Sequence, residues 1–132
     1  TSVIPNLLVN DIVDTICESR GIKVYVANVM TQPGETDDYT VLDHIQGIVK
    51  HSNENILDYC IVNVENIPKE VLGKYIFDGS KPVILGEKDE EILNSRGIKL
   101  VKGCLVDIKK GYIRHNTLEL NKILMGIVKT SI

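Results

Sequence analysis

With 132 residues, 43% of them hydrophobic, the chain is large enough to bury one core and reads as a single domain. A net charge of −3, with no run of Lys or Arg longer than the pair Lys109-Lys110, excludes the basic face that a nucleic-acid partner demands. No apolar run approaches the length of a membrane span. The three cysteines, Cys17, Cys60 and Cys104, are too widely spaced for a paired metal motif and are expected to be reduced thiols of a cytoplasmic protein.

In chain order, Leu8, Ile12, Val13 and Ile16 recur at helical spacing and predict a helix from Pro5 to about Arg20, with Gly21 as its left-handed cap. Lys23 to Val29 is β-branched and apolar, the pattern of a strand buried on both faces. A second helix is predicted from Asp38 to about His51, capped by Asp38 or Thr40. It would leave His44 and His51 facing solvent. A strand over Asp58–Val64 ends in the polar turn Glu65-Asn66, and Pro68 opens a helix through about Phe77. Pro82 to Leu85 reads as a short strand and Glu87 to Ser95 as a charged helix closed by Arg96-Gly97. Lys99–Lys102 and Leu105–Ile108 come next as strands, Lys109-Lys110-Gly111 as a turn, and Tyr112-Ile113 as a brief extension. Asn116 caps a last helix that turns Leu118, Ile123, Leu124 and Ile127 inward. Alternating strands and helices with short connections predict a mostly parallel, Rossmann-like α/β sheet in three layers.

Chemistry concentrates in the loop Asn28 to Thr40, directly after the first strand. In open α/β sheets, ligands bind at the carboxyl ends of strands. Pro33-Gly34 is turn chemistry, and Asn28, Thr31, Gln32, Glu35, Thr36 and Asp37 supply hydrogen-bonding groups. Asn28 and Asn63 end the first two strands at equivalent positions, where each either meets a ligand or satisfies its own loop. Glu35, Asp37 and Asp38 suit either a Mg²⁺ site or a solvated acidic loop with a helix cap. Glu35 alone is also a candidate general base. Thr1 and Ser2 precede a helix start, which favours an anion or simple capping. Arg114 offers a fixed fork to phosphate or pairs with a carboxylate; His115 reads as a structural hydrogen-bonder.

The run Val24 to Thr40, centred on Asn28-Val29-Met30-Thr31-Gln32-Pro33-Gly34-Glu35-Thr36, resembles the signature of the 2-phospho-L-lactate transferase-like (CofD-like) family. Within it the similarity is greatest to the bacterial gluconeogenesis factors. Thr1-Ser2-Val3-Ile4-Pro5-Asn6-Leu7-Leu8-Val9 and Tyr112-Ile113-Arg114-His115-Asn116 extend the resemblance in the same order, with Asn116 where the family usually has Asp. The resemblance implies that residues 1–132 are one α/β unit, the carboxyl-terminal part of a larger CofD-like domain, with a bare sheet edge and a tendency to form homo-oligomers. It also implies a ligand phosphate near Thr1, Ser2 and Asn6, a diphosphate on Arg114, a uracil ring stacked on Tyr75, and Thr117 as a phosphorylation site.

The function it implies is binding of a UDP-sugar such as UDP-N-acetylglucosamine by a non-catalytic regulator that supports cell-wall precursor supply and cell shape. The alternative is a phospho-lactate-type transferase of deazaflavin cofactor biosynthesis, for which Mg²⁺ is the candidate cofactor. A third reading is an oligomerisation scaffold with a vestigial pocket.

Overall fold

The computed structural model describes residues 2–131. Three parallel strands form its centre: β1 (Val24–Val26), β2 (Tyr59–Asn63) and β3 (Lys99–Gly103), ordered β1-β2-β3. The registers Tyr25↔Cys60 and Cys60↔Leu100 place β2 between two neighbours. Its Cys60, Ile61 and Val62 are accordingly fully buried.

Strand alternation sends these side chains to opposite faces. Cys60 and Val62 meet Val41 and Ile45 of α3 (Val41–Lys50) and Leu93 of α5 (Asp89–Ser95). Ile61 meets Ile127, Ile123 and Leu124 of α6 (Thr117–Thr130), with Leu105 beside it. The result is the expected three-layer α/β arrangement. Two short helices, α1 (Ile4–Leu7) and α2 (Ile12–Glu18), bring Leu7, Val13, Ile16 and Cys17 against Ile48 and Ile56 in a satellite core. Helix α4 (Lys69–Phe77) lies after β2. Strands β4 (Val106–Lys109) and β5 (Tyr112–His115) form a separate antiparallel hairpin. Lys110 and Gly111 turn it with positive φ at both positions, as tight hairpins require.

Several expectations shift. The helix predicted over 5–20 is two helices, because Asp11 adopts the left-handed conformation at φ 68°. Short Asp side chains tolerate that conformation better than most. The break resets the helical phase, so Leu7 points inward while Leu8 is 64% exposed. Strand β1 is shorter than predicted and half-buried, since among the described residues β2 is its one sheet neighbour. Pro82–Leu85 forms no strand. Met30 and Pro82 share one isolated bridge, and Pro82 lacks the N–H a ladder needs. Leu118 is exposed, and Leu120 packs on the sheet instead. Thr40, not Asp38, caps α3: its Oγ1 accepts from Asp43 N at 3.3 Å, and Asp43 Oδ2 accepts from Thr40 N at 2.9 Å.

Candidate functional site

The loop from Asn28 to Thr40 is held by its own polar groups. Thr31 is buried and pins the loop to the Ser80–Pro82 segment: its N–H donates to Lys81 O, its Oγ1 accepts from Lys81 N, and its carbonyl accepts from Ser80 Oγ at 2.6 Å. Thr36, also buried, accepts from Gln32 N through Oγ1 at 2.8 Å and returns its own N–H to Gln32 O. Gly34 sits at φ +80°, a region costly for a residue with a Cβ, and its N–H donates to Asp37 Oδ2 at 2.9 Å.

This frame opens a cavity of about 170 Å³ between the loop, the start of α1 and the face of α3 from His44 to the C-cap His51. Ser2, Asn28, Gln32, Glu35 and Thr36 border it. Its apolar wall is Val3, Ile4, Tyr25 and Ile48. A wider cavity of about 410 Å³ shares Val3, Tyr25, Asn28 and Ile48 with it and reaches Leu7, Val24 and Val26 along β1. Polar groups therefore gather at the carboxyl end of β1, with an apolar trough adjoining them. Burial, and to a lesser degree the neighbouring Cys60 thiol, push the Tyr25 hydroxyl up to about 12, so it stays a neutral phenol on this wall.

Other predicted residues lie elsewhere. Thr1 falls outside the described residues. Asn6 donates to Ser2 O at 3.0 Å from a helix of four residues. Tyr75 accepts from Ile113 N at 2.8 Å through its hydroxyl, tying α4 to β5. The Arg114 guanidinium lies over the Tyr112 ring at 5.5 Å, with Lys74 Nζ over the same ring at 4.1 Å. Among the described residues no carboxylate pairs with Arg114. His115 bonds Ala27 O at 3.1 Å, which fixes the hairpin beside the end of β1, one residue before Asn28.

Asn63 satisfies its own surroundings: Oδ1 accepts from Glu65 N and Leu105 N, and Nδ2 donates to Glu65 O. The three loop carboxylates separate. Asp37 binds Gly34 N, Asp38 pairs with Lys81 at 2.7 Å, and Glu35 borders the cavity. No group of three acidic, His or Cys residues is arranged for a metal among the described residues. His44 is buried, not solvent-facing, and lines the cavity; His51 is exposed at its rim. The signal for His44 was present in the sequence: Val41, His44, Ile45 and Ile48 fall at i, i+3, i+4 and i+7, the stripe a helix turns inward.

Comparison with known proteins places this arrangement. The chain is 41% identical over 132 residues to the gluconeogenesis factor of Halalkalibacterium halodurans, covering 99% of this chain and 40% of that protein. It is 37% identical over 129 residues to the gluconeogenesis factor of Bacillus subtilis, covering 98% and 40%. The chain thus spans about 40% of the length of these relatives. A crystal structure of a UPF0052 family member from Bacillus halodurans superposes with a TM-score of 0.85 at 38% identity, over 92% of this chain and 38% of that one. The family model for 2-phospho-L-lactate transferase CofD matches residues 1–106, which contain every residue lining the two cavities. By that match the chain belongs to the CofD family.

Proposed function

We propose that the chain is one α/β unit of a larger CofD-like domain in a cytoplasmic regulatory protein that binds a UDP-sugar, such as UDP-N-acetylglucosamine, in support of cell-wall precursor supply and cell shape. The observation that carries this reading is the meeting of Ser2, Asn28, Gln32, Glu35 and Thr36 around one cavity at the carboxyl end of β1. The naming of its relatives as gluconeogenesis factors supports the regulatory branch. Arg114 is the proposed diphosphate contact. It has no carboxylate partner among the described residues, and His115 holds its strand beside the end of β1. Tyr75, half-buried with its hydroxyl anchoring β5, is the proposed platform on which the uracil ring stacks. Thr117 is exposed at the first position of α6, where a phosphate meets favourable helix electrostatics. Mass spectrometry of protein from growing cells should find it phosphorylated, and a uniformly unmodified Thr117 removes that proposal.

Calorimetry of the full-length protein against UDP-sugars, GDP and phospho-lactate derivatives tests the whole reading. A UDP-sugar should bind, and Arg114→Ala should weaken it by about 1.5–3 kcal/mol, the range for hydrogen bonds to charged groups. Unchanged affinity for every UDP-sugar would place the diphosphate elsewhere. The family description favours a second reading, phospho-lactate-type transfer, because the matched residues include the whole cavity lining. Turnover of a phospho-lactate derivative, with no UDP-sugar binding, would decide for it.

A further inference from the structure

Among the described residues, one buried side-chain polar atom has no hydrogen-bond partner: His44 Nε2. The residue is 7% exposed, and its ring borders the 170 Å³ cavity together with Asn28 and Glu35. Nδ1 lies 2.8 Å from Thr40 O, and the Tyr39 ring meets the imidazole edge-on at 5.4 Å. A carbonyl oxygen can only accept, so Nδ1 carries a hydrogen, and in the neutral tautomer this leaves Nε2 as a bare acceptor. Buried acceptors left unpaired are costly and rare, and one on a residue that lines a cavity is placed to meet a donor brought by a ligand. The lining of this cavity contains no Lys or Arg and does contain the Glu35 carboxylate. A phosphate would be desolvated there without a counter-charge, whereas a hydroxyl or N–H would find acceptors in Nε2, Glu35 and the Asn28 amide oxygen.

We infer that His44 is a ligand-reading residue: Nε2 accepts a hydrogen bond from a hydroxyl or N–H of the bound small molecule, so the neutral, donor-rich part of the ligand enters this cavity and its phosphates remain outside. The inference deepens the proposed UDP-sugar reading and takes the ligand's class from it. The buried Nε2 itself can be tested with neutral probes that do not depend on that reading.

The experiment uses the full-length protein with ¹⁵N-labelled histidine and long-range ¹H–¹⁵N spectra. In the free protein His44 should show the Nδ1–H tautomer with unprotonated Nε2. Saturating UDP-N-acetylglucosamine, and at least one of uridine and N-acetylglucosamine added separately, should shift Nε2 toward a hydrogen-bonded acceptor. Inorganic phosphate should not. His44→Phe and His44→Asn should each weaken the shifting ligand about tenfold, equivalent to about 1.4 kcal/mol. The Asn variant retains an N–H for Thr40 O, and thermal unfolding of both variants separates lost contact from lost fold. An Nε2 protonated in the free protein, unmoved by all three donors, or moved by phosphate alone overturns the assignment, as does unchanged affinity in both folded variants. Should a neutral probe shift Nε2 while UDP-N-acetylglucosamine fails to bind, the UDP-sugar reading falls and the role of His44 stands.

Discussion

Two asparagines end neighbouring strands and do different work. Asn63, at the end of β2, spends its amide on the backbone of Glu65 and Leu105, which locks the turn after the strand. Asn28, beyond the end of β1, borders both cavities. The difference lies in the surroundings of each strand end: the Leu105 backbone returns to cover the end of β2, whereas β1 opens onto the ligand loop. Behind Asn28, burial raises the Cys60 thiol from its ordinary 9.0 to about 12 and, with Cys60 adding to it, the Tyr25 hydroxyl from 10.0 to about 12. Both groups bind their protons more tightly folded than unfolded. Their stabilisation is therefore complete below about pH 9 and is lost as pH rises toward 12. Above pH 9 stability should fall by up to about 1.4 kcal/mol per pH unit from Cys60 alone, and more steeply once unfolded Tyr25 ionises. Urea midpoints measured at pH 7 and 10.5 check this. Cys60→Val should flatten the first part of the decline, and equal slopes for variant and parent would refute the assignment.

At the scale of elements, α3 connects fold to site. Val41, Ile45 and Ile48 bury one stripe of it, and His44 on that stripe reaches the cavity. Its start is set by the reciprocal Thr40–Asp43 capping box. Thr40→Ala removes the acceptor for Asp43 N while leaving the carbonyl that holds His44 Nδ1. It should cost about 1 kcal/mol, seen as a lower urea midpoint with unchanged m value. An unaltered midpoint would mean that packing alone sets the helix start. Helices such as α3 and α6 are legible in sequence because long apolar stripes and cap residues agree. The break between α1 and α2 was not, since Asn10-Asp11 fits a helix surface as well as a left-handed turn. With the turn in place, Leu7 from α1 and Val13, Ile16 and Cys17 from α2 all pack into the cluster around Ile48 and Ile56.

At the scale of the molecule, β1 pairs through one edge only among the described residues, and apolar Leu7, Val24 and Val26 line the trough beside it. Phe77 adds a side chain 92% exposed. Unpaired strand edges and apolar surface seek partners. The 132 residues on their own are therefore expected to self-associate at micromolar concentration, measurable by sedimentation velocity. A clean monomer binding ligand with full affinity would show that these residues form a self-sufficient domain and end the argument from the open edge.

By itself the sequence determined the local events: the alternation of strand and helix, the cap at Asn116, the positive φ of Gly34, and the polar loop after β1. These arise from periodicity and backbone sterics, which act between near neighbours. The tertiary structure alone decided the long-range ones. It assigned Asn63 to its turn, engaged the Tyr75 hydroxyl with β5, and split the loop carboxylates among separate partners. It also left one nitrogen of the inward-facing His44 unpaired. Each of these depends on which distant backbone group or cavity a side chain meets, and no spacing along the chain encodes that distance.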